Sequence, residues 1–292
     1  MIGIDNPPGR LPRIIHQTYS DRNLPPLYRQ NIARIKRLCP GWEYRFYDDV
    51  DVRKYIAGHF PGLLKYYERI DPRYGAARAD FFRYLVVYRD GGVYLDLKST
   101  LTRPLDEVLS AHDGYLLSHW KNGPGDRYPG YGLLVFPDDK PRDWPERGEF
   151  QQWFIVSPPG HPFLRKTVER ICQNIDNYCP LTGEVGRAGV LKLTGPVVYT
   201  QAILSLMDTV PHAIVDAEDD LGFGYSILPE PRSHETGYRH KHYSRQKCPI
   251  VKPRGLKLFT YFPRAGTVRL IAAVKRIKRS IVKRMRRCRV PA

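Results

Sequence analysis

The most constraining stretch of this chain is "YGAARADFFRYLVVYRDGGVYLDLKST", residues 74–100. Residues 74–92 read as a helix that is nearly apolar past Asp80. Gly91 and Gly92 end it, because glycine accepts the left-handed backbone of a helix C-cap. "VYLDL" follows at once as a strand. A helix that is apolar on all sides belongs inside a protein rather than on its surface. Arg78, Asp80 and Arg83 therefore need partners, since buried charges are costly when unpaired. Asp80 and Arg83 are three residues apart and share a helix face. They form either an internal ion pair or part of a ligand site.

The rest of the chain fits an α/β domain. "LPRIIHQTY" (11–19) reads as a first strand, "PPLYRQNIARIKRLCPGW" (25–42) as a proline-bounded helix, and "WEYRFYDD" (42–49) as a second strand. A helical region interrupted by Pro61 and Pro72 comes next. "DGYLLSHW" (113–120) and "YGLLVFP" (131–137) read as further strands. An amphipathic helix is expected from Pro162, and another follows the Gly195-Pro196 turn. Strands alternating with helices argue for a sheet covered by helices. The 292 residues suffice for one sizeable core.

Charge is unevenly placed. Of the 47 basic residues, 11 lie from Arg264 onward, where no acidic residue occurs, so the tail is +11 and the body +6. This suggests a domain over 1–262 and a separate tail over 263–292. Within 266–292, Leu270, Val274, Ile277, Ile281, Met285 and Cys288 recur at gaps of four, three, four, four and three. That is one apolar face of a basic amphipathic helix, a pattern suited to an anionic membrane surface. Docking on the protein body is the other reading. The tail has no aromatic residue on which bases would stack, which argues against nucleic acid. The sequence offers no signal peptide and no apolar run of membrane-spanning length. The expected location is cytoplasmic, or peripheral on the cytoplasmic face of a membrane. Five scattered cysteines fit a reducing compartment and no zinc site.

Ligands of open α/β sheets bind beyond the carboxyl ends of the strands. His16 and Gln17 end one strand and Asp96 ends another. Along "VYLDLKS" the alternation sends Val93, Leu95 and Leu97 one way and Tyr94, Asp96 and Lys98 the other. Together with Arg78, Asp80 and Arg83 these make a polar pocket.

"PRIIHQTY", "ARADFFRYLVVYRDGGVYLDLKS", "QQWFIVSPPGHPFL", "LTGPVVYTQAI" and "HKHYS", in that order over roughly residues 11–250, resemble glycosyltransferase family 32. This family includes the yeast initiating mannosyltransferase and bacterial capsule enzymes. The resemblance implies a GT-A-type nucleotide-sugar-binding fold, with a mixed, mainly parallel sheet flanked by helices. It implies transfer of a hexose, with retention of anomeric configuration, from a nucleotide-sugar donor to a saccharide or lipid-linked acceptor. Asp80 and Arg83 match the family's sugar-contacting pair. Gly92 is expected to let the backbone approach the donor, and Gly195-Pro196 to shape the back of its pocket. His242 matches the histidine region that closes over the diphosphate. Gln151-Gln152 lies where a polar residue stands near the reacting carbon.

Asp96 matches the first carboxylate of the family's DXD motif, but Lys98 stands where the second is expected. Paired carboxylates serve a divalent cation, Mn²⁺ or Mg²⁺, which offsets charge on the leaving diphosphate. An ammonium supplies no such ligand. Three readings stay open. Lys98 takes the metal's place; or a cation is held by Asp96 and His242 with the diphosphate; or Lys98 pairs with Asp96 and the protein is a non-catalytic sugar- or nucleic-acid-binding protein on a degenerate transferase frame. His234, His240 and His242 lack zinc spacing.

Overall fold

The computed structural model describes residues 10–132, 148–180, 182–228 and 242–252. The expected helix over 266–292, the strand residues 133–137, and His234 and His240 lie outside them.

Strand β1 (Ile14–Thr18) is followed by helix α1 (Pro26–Leu38), β2 (Glu43–Tyr47), α2 (Asp49–His59) and α3 (Pro61–Arg69). The long helix α4 (Gly75–Asp90) then leads into β3 (Gly92–Leu95). Local chemistry sets these boundaries. Prolines open α1 and α3. Asp48 and Asp51 form a reciprocal capping box at the start of α2. Gly91, at φ 67°, ends α4.

Short β4 (Thr100–Leu101), α5 (Leu105–Val108) and β5 (Leu116–Leu117) come next. They are followed by β6 (Phe154–Ser157), α6 (Pro162–Asn177), α7 (Gly186–Leu193) and α8 (Pro196–Leu204). Finally β7 (Ala213–Ile214) joins the main sheet, and β8 (Phe223–Gly224) pairs with β4.

The main sheet has six strands in the order β2-β1-β3-β6-β5-β7. β6 alone runs against the others, so the sheet is mixed and mainly parallel. Helices cover both faces. One core joins α4, α6 and α8 to Tyr94 and Ile155, while a second joins α1 and α5 to Val93, Leu95, Phe154 and Val156. Alternate residues of β3 and β6 thus feed opposite cores, as the pleat requires. α4 is buried as its composition demands, with Phe81 through Tyr88 all buried.

Two expectations change here. β3 ends at Leu95 and the chain then turns, with Ser99 N–H donating to Asp96 O at 2.8 Å. Asp96 and Lys98 are therefore on a turn, not on one strand face. Gly92, at φ 90°, serves the fold: a Cβ there would lie 2.4 Å from Ile14 O, so glycine lets β3 pack against β1. It does not line the ligand cavity.

Candidate active site

A cavity of about 1000 Å³ opens beyond the carboxyl ends of β1 and β3. Nucleotide-sized ligands occupy cavities of this order. Helix α4 supplies one wall. Ala76, Asp80 and Arg83 fall at helical spacing on one face, and the small Gly75, Ala76 and Ala79 leave room beside the charges.

Arg83 organises the floor. Its Nη2 lies 3.1 Å from Asp80 Oδ1, and its Nη1 lies 3.0 Å from Asp96 Oδ1. Nη1 also donates to the carbonyl of Gln152 at 2.7 Å, and the guanidinium lies 4.7 Å from the centre of the Tyr94 ring. Asp80 receives two more hydrogen bonds, from Thr194 Oγ1 at 3.0 Å and Gln152 Nε2 at 3.2 Å. Tyr84 donates its hydroxyl proton to Gln152 Oε1. Two carboxylates thus share one guanidinium in a nearly dry site. Burial pushes the Asp80 carboxyl up to about 6 against the pull of Arg83, and Asp96 adds to the rise.

Asp96 itself is three-quarters buried. Its N–H donates to Trp153 O at 2.8 Å, so the backbone is fixed while the carboxylate reaches the cavity. Lys98 Nζ donates to Tyr225 Oη at 2.7 Å and lies 3.9 Å from the centre of that ring. Trp120, Tyr131, Trp153 and Tyr225 form an aromatic wall with ring centres 5.0–5.6 Å apart for the contacting pairs Trp120–Tyr225, Trp120–Tyr131 and Trp153–Tyr225. Aromatic faces of this kind suit sugar rings or a base. Arg78 donates to Ile70 O at 2.9 and 3.1 Å and stacks over Tyr67 while lining the cavity. Pro196 and His242 line it too, and His242 Nδ1 lies 2.9 Å from Ser244 Oγ.

Several expected donor contacts are not there. His16 is fully buried between Tyr47 Oη, 3.2 Å from Nδ1, and Gly91 O, 3.0 Å from Nε2. A carbonyl only accepts, so Nε2 carries the proton and Nδ1 accepts from Tyr47. Burial lowers this imidazole to about 4, which keeps it neutral. His16 is a strut between β1 and the end of α4. Gln17 is equally buried. It donates to Asp96 O at 3.1 Å and accepts from Tyr44 at 2.7 Å, so it positions Asp96 without reaching the cavity. Gly195 packs against Leu191 as the cap of α8 and does not line the cavity.

The residues present do not fit the two-carboxylate cation site of a DXD motif. Asp96 is engaged by Arg83, and an ammonium stands at the second position. Asp96 and His242 gain no third ligand: among the described residues no group of three His, Cys, Asp or Glu side chains is placed to hold a metal.

Four further residues of the cavity have little or no signature in the sequence. Thr194 directly precedes the Gly-Pro turn and holds Asp80. Tyr225 holds Lys98. Glu149 and Arg187 also line the cavity. Of these only Thr194 carried a signal, through its place in "LTGP". Four cavity-lining residues keep a buried polar atom without a hydrogen-bond partner: Tyr67 Oη, Arg83 Nε, Glu149 Oε2 and Trp153 Nε1. Orphaned polar atoms gathered around one cavity are what a bound ligand would satisfy.

Parts of this chain are similar to known proteins. Residues 25–115 match the family described as the glycosyltransferase sugar-binding region containing the DXD motif. The initiation-specific alpha-1,6-mannosyltransferase of Candida albicans is 29% identical over 204 residues, covering 66% of this chain and 47% of that protein. A mannosyl phosphorylinositol ceramide synthase of Saccharomyces cerevisiae is 30% identical over 198 residues, covering 68% of this chain and 44% of that protein. The chain therefore matches somewhat less than half the length of these two relatives. Among solved structures, the PaToxG glycosyltransferase superposes with a TM-score of 0.46 at 18% identity, covering 70% of this chain and 72% of that one.

Proposed function

We propose, from the match of residues 25–115 to the sugar-binding region containing the DXD motif, that this chain is a glycosyltransferase that moves a hexose from a nucleotide-sugar to a saccharide or glycolipid acceptor, with retention of configuration. The observation that carries this reading is the buried Asp80–Arg83–Asp96 cluster on the cavity floor, cross-linked by Gln152. One relative named as a mannosyltransferase and another named as a mannosyl phosphorylinositol ceramide synthase favour mannose as the sugar moved.

Asp80 and Arg83 hold the hydroxyls of the transferred sugar. Asp96 accepts from the donor's ribose or sugar, and Gln152 stands at the reacting carbon. The aromatic wall takes a ring face. Lys98 answers the diphosphate, and Arg78 and His242 line the same cavity. As the bond to the sugar breaks, negative charge grows on the leaving diphosphate, and a fixed ammonium in a half-buried site stabilises it with little reorganisation. A divalent cation supplies the same neutralisation in enzymes of the ordinary motif. Here a lysine, a compact point charge suited to phosphate, stands at the position of the second carboxylate.

Asp96→Asn tests this function against the rival reading, a sugar binder on a degenerate frame. Asparagine keeps the size and accepts from Arg83, so the fold should hold. Turnover should fall on the order of 10²–10³-fold, as for loss of one preorganised electrostatic group. A wild type that binds nucleotide-sugars without turning any over, and a variant that behaves alike, would favour the binder.

The basic segment 266–292, and a relative named for synthesis of a mannosyl phosphorylinositol ceramide, support action at an anionic membrane surface. Among the described residues no helix is long and apolar enough to cross a membrane. The full chain should co-sediment with phosphatidylserine vesicles and a chain ending at residue 262 should not. Equal sedimentation of both would remove the tail from that role.

A further inference from the structure

Glu149 lines the cavity but takes no part in the Asp80–Arg83–Asp96 cluster. It is 3% exposed, and its Oε2 is buried without a hydrogen-bond partner. Its surroundings hold it in place. Glu149 N–H donates to Gly132 O at 2.9 Å, the next N–H donates to Thr200 Oγ1 at 2.9 Å, and Gln151 N–H donates to Ser118 O at 2.9 Å. A carboxylate fixed in this way and left unsatisfied is unusual in a native fold.

One charged group faces it. Arg187, half-buried on α7, lines the same cavity and lies close enough for its charge to act on the carboxylate. Among the described residues the Arg187 guanidinium forms no hydrogen bond or ion pair. The cavity lining therefore carries a buried acceptor and a guanidinium whose charge acts on it, and among the described residues neither Glu149 Oε2 nor the Arg187 guanidinium has a hydrogen-bond partner. Adjacent hydroxyls of a sugar ring complement that pair, since a hydroxyl donates to a carboxylate and accepts from a guanidinium. We propose that Glu149 and Arg187 form a hydroxyl-reading subsite that selects which sugar the cavity accepts. The subsite rests on the transferase reading above and deepens it. Both the transferred sugar of the donor and the acceptor saccharide carry the required hydroxyls, and the experiment separates them.

Burial pushes the Glu149 carboxyl up to about 7, against the opposing pull of Arg187. The ionised form is the stronger acceptor, so affinity for the sugar should rise between pH 6 and pH 8. Asp80, Arg83, Asp96, Lys98 and His242 line the same cavity, and Asp80 titrates near 6. The difference between wild type and Glu149→Gln therefore isolates the Glu149 share.

The test uses the full chain with Glu149→Gln and Arg187→Gln. Probes are GDP-mannose and UDP-glucose as donors, GDP and UDP as sugar-free controls, and methyl α-mannoside as acceptor. If the subsite reads the donor sugar, each variant raises the donor KM in acceptor-free hydrolysis on the order of tenfold, the size of one lost charge-assisted hydrogen bond. Binding of GDP or UDP stays unchanged, and Glu149→Gln loses the Glu149 share of the pH dependence of KM. If it reads the acceptor, donor hydrolysis is unchanged and the KM for methyl α-mannoside rises instead. Unchanged KM values for donor and acceptor in both variants, with wild-type turnover present, would overturn the subsite and leave the transferase reading intact. A wild type that neither binds nor turns over any donor would overturn both. Glutamine is isosteric with glutamate and Arg187 is half-exposed, so thermal unfolding of both variants near the wild-type midpoint is the fold control.

Discussion

Replacing Arg83 with methionine should abolish turnover and lower stability by about 3–5 kcal/mol, the range seen when one partner of a buried ion pair is removed. Asp80 and Asp96 would be left close together without the cation that now separates their charges at 3.1 and 3.0 Å. The Gln152 carbonyl would also lose its donor. Chemical denaturation of the variant reads the stability change. The double variant Asp80→Asn with Arg83→Met removes the two most deeply buried charges together and leaves only the partly exposed Asp96 carboxylate. It should recover most of the lost stability and none of the activity. Arg83→Lys should not rescue turnover, because a single ammonium cannot reach Asp80, Asp96 and the Gln152 carbonyl at once, as the planar fork does. A stable, active Arg83→Met would show the cluster to be a surface-like ion pair with no part in the site.

The second large effect belongs to Lys98. Lys98→Ala should lower kcat on the order of 10²–10³-fold while leaving the donor KM within a few-fold, since its charge acts mainly on the leaving diphosphate. Tyr225 would lose its ammonium partner at 2.7 Å, but the position is half-buried and the fold should persist. Lys98→Asp restores the two-carboxylate motif. Its turnover should be low in EDTA and rise with added Mn²⁺, whereas wild-type turnover should not change with the metal. Steady-state rates of the three proteins with and without Mn²⁺ read this directly. Full activity of Lys98→Ala in EDTA would remove the lysine from catalysis.

The residues that announce the site in the sequence are those whose chemistry conflicts with their surroundings. Asp80 and Arg83 stand out because the helix around them is apolar, and the structure pairs them at 3.1 Å. Asp96 stands out at a strand end, and the structure puts it on the same guanidinium. His16 and Gln17 misled because β1 reads alike whether it lies at an edge or inside the sheet. In the structure it lies inside a sheet whose two faces are both packed by helices, so His16 and Gln17 are fully covered. Gly92 also has two readings in sequence, since the residue permits a close approach without saying to what. The neighbour is Ile14 of β1. Glu149 carried no pattern. It acquires meaning only when the chain brings it beside Arg187, 38 positions later in the sequence, at a shared cavity. The alternation that assigned Lys98 to the strand face failed because the chain turns at Asp96, one residue beyond β3.

The most direct measurement is hydrolysis of a panel of nucleotide-sugars by the wild-type chain, in excess Mn²⁺ and separately in EDTA. The expected result is turnover of one donor at the same rate in both, with the fixed charge of Lys98 serving in place of a divalent cation. Failure to bind or hydrolyse any nucleotide-sugar in either buffer would contradict the reading of this cavity as a donor site.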